Sequence, residues 1–417
     1  MSVLLQTMPL LISWVALVLY TLLAGADFGA GFWQLTAGRG AHGRRLRDHA
    51  HHAMAPVWEA NHVWLVLVLT VMWTAYPTVF GSVCSTLAIP IFLAAIGIVL
   101  RGLCYAVQSA TEVPAERRFI DTAFALSSIL TPFMLGTVIG GIASGRVPVG
   151  NATGDLVTSW VNPASLVSGC LAVAVGTYLA AVFLAADARR HPGSGPLERA
   201  FRGRALIAGV AAGVLALVGL AVLAGDAPRI LAGLSSGWGL VAAAVSAVGG
   251  VGSLVLVLLH RFEPARIAAG AAVAAILAGW AAAQRPYLLP GLTLGDAAAD
   301  SATLWAVVIS VLLGSVVLAP SLALLFRLSL AGHLDPAPGA PVRRATRGPD
   351  AVRPRWAGRV GVACWLVGLV LLTLADAEVA HVLGVLALAG AGLAIFTAVG
   401  PDEVAAKESR VFVRARC

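Results

Sequence analysis

Three observations predict an all-α, polytopic membrane protein. Hydrophobic residues make up 59% of the 417-residue chain and charged residues only 12%, with a mean hydropathy of +0.89. A soluble domain carries about 25% charged residues. Apolar runs near the ~20 residues that cross a bilayer recur along most of the chain. Basic residues collect in alternate connecting segments, which is the sorting that membrane topology imposes. The net charge of +8 is almost entirely Arg in those connections and does not point to nucleic acid. Cys84, Cys104, Cys170, Cys364 and Cys417 show no close spacing, so neither a disulfide framework nor a zinc motif is indicated.

Eleven runs are candidate spans: 8–33, 53–75, 79–107, 119–144, 160–186, 203–224, 237–259, 263–283, 302–326, 358–375 and 379–399. Ala24-Gly25-Ala26 in the first resembles a signal-peptide cleavage site, but no Lys or Arg precedes it, so the run reads as a span. With an outside N-terminus, the inside segments are 34–52, 108–118, 187–202, 260–262, 327–357 and 400–417. Counted with their borders, they carry 24 of the 28 Lys plus Arg, while Arg146, Arg229 and Arg285 lie outside and Arg101 lies within the third span. This places the N-terminus outside and the C-terminus in the cytoplasm. Four regions follow: a membrane domain over 1–330, a Pro/Gly/Arg-rich cytoplasmic linker over 331–357, a transmembrane hairpin over 358–399 and a basic tail over 400–417.

The most informative stretch is Ala55-Pro56-Val57-Trp58-Glu59-Ala60-Asn61-His62-Val63-Trp64-Leu65, which opens the second span. A charge inside hydrocarbon costs about 2.5–3.5 kcal/mol on insertion scales, so an intramembrane acid is a functional candidate. A helix end reaching interfacial water is the bland alternative. Orientation adds a second argument: Asp27, Glu59 and Arg101 each lie six residues from the inner end of their span. At 1.5 Å per residue that is a common depth of roughly 9 Å. Two acids and a base at one depth can compensate one another, either as a proton-accessible cluster or as a structural ion-pair network. Gly25, Gly29 and Gly31 beside Asp27 read as close-packing positions. His42, His49, His51 and His52 fall in the first inner loop and read as solvated rather than metal-binding, and His62 and His381 are intramembrane histidines for which an axial haem role is conceivable.

The same residues resemble subunit II of the cytochrome bd-type quinol oxidases. Gly25-Ala-Asp27-Phe28-Gly29-Ala30-Gly31 is similar to that family's first-helix motif, and Ala55-Pro56-x-Trp58-Glu59-x-Asn61-x-Val63-Trp64-Leu65 to its second-helix signature. Arg101, Asn162-Pro163 with Tyr178, and Ala283-Gln284-x-Pro286-Tyr287-Leu288-Leu289-Pro290 follow in the family's order, so the resemblance covers residues 8–330. It implies two four-helix bundles plus a peripheral helix, with the C-terminal hairpin as an addition. It implies a bacterial plasma-membrane heterodimer with a subunit I that carries haems b and d and the quinol-oxidising loop, with room for a small accessory subunit that the sequence itself does not specify. The complex would oxidise quinol, reduce dioxygen to water and draw protons from the cytoplasm. Glu59 takes the place of the family's proton-route acid, where many members carry Asp. Asp27 and Arg101 accompany it, Trp58, Asn61 and His62 are the candidate cofactor contacts, a structural quinone is possible, and no metal is assigned to this chain. The competing reading is a proton-coupled secondary transporter built on Asp27, Glu59 and Arg101. The off-centre depth of the cluster and the lack of an internal repeat count against it.

Overall fold

The structure is a computed structural model. It describes the backbone of residues 2–330 apart from 39, 109–113 and 191–192, and short stretches between 360 and 391. The side chains of 52, 55–59, 105–119, 325–326 and 328–330 are also outside the description. Residues 1–334 and 335–417 form two compact units.

In the first unit the described residues are helical almost throughout. Helix α1 spans Val3–Leu35, with the Ser2 hydroxyl accepting from the Leu5 amide at 3.4 Å as its N-cap. Helix α2 runs Ala41–Ala75. The expected inner loop 34–52 is therefore mostly helix. Leu46, Ala50 and Met54, four residues apart, form an apolar stripe that is buried to 5% exposure or less. The dense Arg and His around that stripe mask it in a hydropathy scan but do not oppose a helix.

The expected span 79–107 is two helices, α3 (Pro77–Thr86) and α4 (Ala88–Gln108). Pro77 cannot continue the α2 hydrogen-bond ladder, and α3 departs from the end of α2 at 119°. Pro90 opposes the carbonyl four residues earlier, at Thr86, where α3 stops. An apolar run records burial but not chain direction, so the break is invisible to hydropathy.

Helices α5 (Pro114–Ala143), α6 (Pro163–Arg190), α7 (Gly195–Asp226), α8 (Pro228–Leu234), α9 (Gly237–Leu258) and α10 (Phe262–Gln284) follow. Asn162 caps α6, its Oδ1 accepting from the Ser165 amide at 2.9 Å, and Pro163 occupies the first turn, where a missing N–H costs nothing. A small antiparallel ribbon, β1 (Tyr287–Leu289) with β2 (Leu292–Thr293), turns through Gly291 at φ +79°. Helix α11 (Leu294–Ala297) and helix α12 (Ser301–Leu330) complete the unit. Seven of the described helices are long and apolar enough to cross a membrane. The bent pair α2–α3 qualifies together, and α4 is a shorter apolar helix.

Of the expected hairpin 358–399, residues 360, 363–368, 370–371, 379–380, 383–384, 386–387 and 390–391 are described and are helical; the others lie outside the described residues.

Candidate functional site

Close approach of α1 to α6 creates the setting of the site. A Cβ on Gly29 would meet the Gly176 carbonyl oxygen and would stand 2.8 Å from Ala180 Cβ, so only glycine allows this contact. On the far side, Gly31 leaves the space taken by Ser128 and the Arg101 guanidinium. The glycine cluster around Asp27 is thus a packing device, as its spacing indicates.

Asp27 on α1 and Arg101 on α4 are each about 2% exposed in their side chains. Arg101 Nη2 donates to Asp27 Oδ1 at 2.6 Å and to the Asp27 carbonyl at 2.9 Å, and Arg101 Nε donates to Oδ2 at 3.2 Å. Asn61 on α2, fully buried, donates from Nδ2 to Asp27 Oδ2 at 3.2 Å. The remaining edge of Arg101 reaches the Ser128 hydroxyl on α5. Its planar face lies over the Phe124 ring at 4.1 Å and near Phe28 at 5.0 Å. Four helices therefore contribute to one buried, charge-balanced centre. Burying a lone charge is costly, and the bidentate pairing with its extra donors is the arrangement that offsets it.

Common depth correctly anticipates the meeting of Asp27 and Arg101. Asn61, a candidate cofactor contact, directs its amide to the Asp27 carboxylate, while its Oδ1 finds no partner among the described residues. His62 lies on the same helix, half-buried. The backbone of Trp58 and Glu59 lies within α2, and their side chains fall outside the described residues. Ser128 and Phe124 were not anticipated. The signal for Ser128 was the hydroxyl pair Ser127-Ser128 within the fourth candidate span. Tyr178 bonds Ser253 at 2.5 Å, and Ser253 in turn donates to the Ala265 carbonyl at 2.8 Å, so it serves as a packing link between α6, α9 and α10. His49 sits on α2, with Nε2 3.1 Å from the Leu184 carbonyl and 3.7 Å from Asp187. Among the described residues no group of three or more His, Cys, Asp or Glu is arranged to hold a metal ion.

At the opposite end, the loop between α5 and α6 is fixed to α7 by Arg146, whose Nη1 donates to Asp226 Oδ2 at 3.0 Å and whose Nη2 reaches Oδ1. The Ala164 amide also donates to Asp226 at 3.0 Å, so this carboxylate ties a loop and the start of α6 together.

Long apolar helices closed around an intramembrane Asp–Arg pair define an integral membrane protein with a built polar centre. The family model for cytochrome bd terminal oxidase subunit II matches residues 5–329, and the chain belongs to that family. In structure it is similar to a chain of the bd oxidase from Geobacillus thermodenitrificans, with a TM-score of 0.61 and 26% identity, covering 78% of this chain and 99% of that one. It is 24% identical over 131 residues to cytochrome bd-I ubiquinol oxidase subunit 2 of Escherichia coli K12, covering 31% of this chain and 34% of that protein. It is 25% identical over 124 residues to cytochrome bd ubiquinol oxidase subunit 2 of Bacillus subtilis 168, covering 30% and 36%. The aligned stretches span about a third of the length of these two curated relatives. The transporter reading finds no support among these relatives.

Proposed function

We propose that the chain is the haem-free membrane subunit of a quinol:oxygen oxidoreductase, that it assembles with a haem-bearing subunit I, and that Glu59 carries protons from the cytoplasm toward the site of oxygen reduction. The family match over residues 5–329 supports the assembly and the reaction class. The single observation that carries the proton reading is the position of Glu59. It lies on α2 two residues before Asn61, one of the groups that close the buried Asp27–Arg101 centre. At 1.5 Å per residue this is a displacement of about 3 Å along the helix, on the side nearer the Arg-rich end.

The division of labour between the two acids follows from hydrogen bonding. Both Asp27 oxygens are committed to Arg101 and Asn61, which holds the carboxylate in place. A proton carrier has to exchange, so in this reading Glu59 is the carrier and Asp27–Arg101 is a fixed charge pair. The hydrogen-bonding set of this centre among the described residues is carboxylate, guanidinium, carboxamide and hydroxyl, which does not fit a haem iron. Haem chemistry therefore belongs to the partner in this reading. The Arg-rich ends of the helices face the cytoplasm, and residues 335–417 are an appended linker, hairpin and tail rather than part of the oxidase core.

Glu59→Gln in the assembled complex tests the proposal. It keeps size and hydrogen bonding and removes the exchangeable proton. The expected result is a complex with normal haem content and impaired oxygen consumption, with Glu59→Asp retaining more turnover. Wild-type turnover in an assembled Glu59→Gln complex would leave Glu59 with no proton role, and loss of assembly in both variants would make it a structural acid.

A further inference from the structure

Arg204, in the first turns of α7, is the exception among the arginines. The other described arginines that are partly or fully buried all end on an oxygen. Arg47 donates to the Gly38 carbonyl, Arg101 and Arg146 pair with Asp27 and Asp226, Arg202 donates to the Val257 and Leu258 carbonyls, and Arg266 pairs with Glu263. Arg204 is half-buried and meets no carboxylate or carbonyl among the described residues. It rests on two aromatic faces, Trp33 at 5.6 Å and Phe201 at 5.5 Å. Those faces attract the cation but offer its N–H donors no acceptor, and none is supplied by the other described residues. A partly desolvated guanidinium in that position calls for an anion from outside the chain.

The surroundings indicate which anion. Arg204 lies beside Trp33, two residues before the end of α1, and one residue inside the predicted span 203–224, which is the level of lipid headgroups. Along the same face of α7, at steps of three and four residues, follow Ile207, Ala211, Val214 and Val218. All four are exposed, Ile207 by 72% and Val214 by 54%. A cation at headgroup level heading a bare apolar stripe is complementary to one molecule with a negative head and an aliphatic tail. A soluble anion would satisfy the head of that stripe only.

We propose that Arg204 binds the phosphodiester of a net-anionic phospholipid, held flat on Trp33 and Phe201, with one acyl chain lying along Ile207, Ala211, Val214 and Val218. The site does not depend on the oxidase reading. It anchors α1 to α7 in the turn after Trp33, whose indole also donates to the Thr177 carbonyl at 2.8 Å.

Native mass spectrometry of the full chain in its complex, stripped of lipid and titrated with phosphatidylglycerol or phosphatidylcholine, tests this. The wild type should retain phosphatidylglycerol roughly fivefold better, the factor equivalent to about 1 kcal/mol for one surface arginine. Arg204→Gln should lose the preference, Arg204→Lys should keep part of it, and Arg229→Gln, a cation at the opposite ends of the helices, should leave it intact. Benzoylphenylalanine at position 207 should crosslink to lipid. Equal retention of the two lipids by the wild type would overturn the proposal even if Arg204→Gln failed to assemble. Unchanged preference in Arg204→Gln, displacement of the lipid by millimolar inorganic phosphate, or a crosslink from position 207 to a protein subunit would each overturn it as well.

Discussion

Asp27 and Arg101 stand 74 residues apart in the chain and meet in a buried, bidentate ion pair whose closest contact is 2.6 Å. Neither charge is tolerable in hydrocarbon alone, and each removes the cost of the other. Single variants should therefore be far worse than the double. Asp27→Asn or Arg101→Gln should cost about 3–5 kcal/mol by stranding the partner, whereas Asp27→Leu with Arg101→Met should cost less than their sum. A thermal-unfolding double-mutant cycle on the purified complex measures this. Additive single effects would mean that the pair is not coupled.

How far this centre can be read from sequence depends on the kind of information each residue carries. Depth along a span is a one-dimensional property, so the meeting of Asp27 and Arg101 is legible once orientation is set. The glycines at 25 and 29 are legible for a similar reason, since a small residue every four positions marks a helix contact. Ser128 and Phe124 are not legible, because their role depends on how α5 is rotated against α4, and an apolar run carries little rotational signal. The burial of Asn61 against Asp27 belongs to the same class. The breaks at Tyr76 and Leu87 were written in Pro77 and Pro90, but the continuous hydropathy across 53–107 concealed them. The α2 extension over 41–52 was concealed by its charge, with only Leu46, Ala50 and Met54 to betray the buried stripe.

Asp300 gives a pH prediction whose sign follows from its hydrogen bonds. Its carboxylate precedes α12 and accepts from the Thr303 hydroxyl at 2.7 Å, the Thr303 amide at 3.0 Å and the Ala302 amide at 2.9 Å. The Thr303 hydroxyl, followed by these amides, holds its pKa below the ordinary carboxylate value. A depressed folded-state pKa means the capping contribution is complete above about pH 4, the unfolded value, and is lost as pH falls through the folded one. Amide exchange at 301–304, corrected for intrinsic rates, should accelerate below about pH 4 in the wild type. In Asp300→Asn that acid limb should disappear. A limb of equal size in both proteins would assign it to another group.

Residues 335–417 form a unit separate from 1–334, and the family match ends at 329. The oxidase core should then assemble without them. A chain ended after residue 335 and fused there to a reporter should still co-purify with subunit I, and the reporter should be active only in its cytoplasmic form. Loss of co-purification would make the second unit part of the interface. A periplasmic signal would reverse the orientation inferred from the Arg-rich segments.

The proposed division of labour between subunits makes the last prediction spectral. The two charges of the polar centre are met by the chain's own groups: Arg101 by Asp27, Ser128 and two aromatic faces, and Asp27 by Arg101 and Asn61. A haem needs an axial donor and a shaped cavity, and the one described intramembrane histidine on α2 is His62, which is half-buried. Purified without its partner, the chain should show little haem absorbance and no quinol:oxygen activity, and co-expression should restore both. A stoichiometric haem band in the isolated chain that vanished in His62→Ala would relocate the cofactor to α2. The signature from Trp58 to His62 would then be a haem site, and the assignment of Glu59 to proton transfer would fall with it.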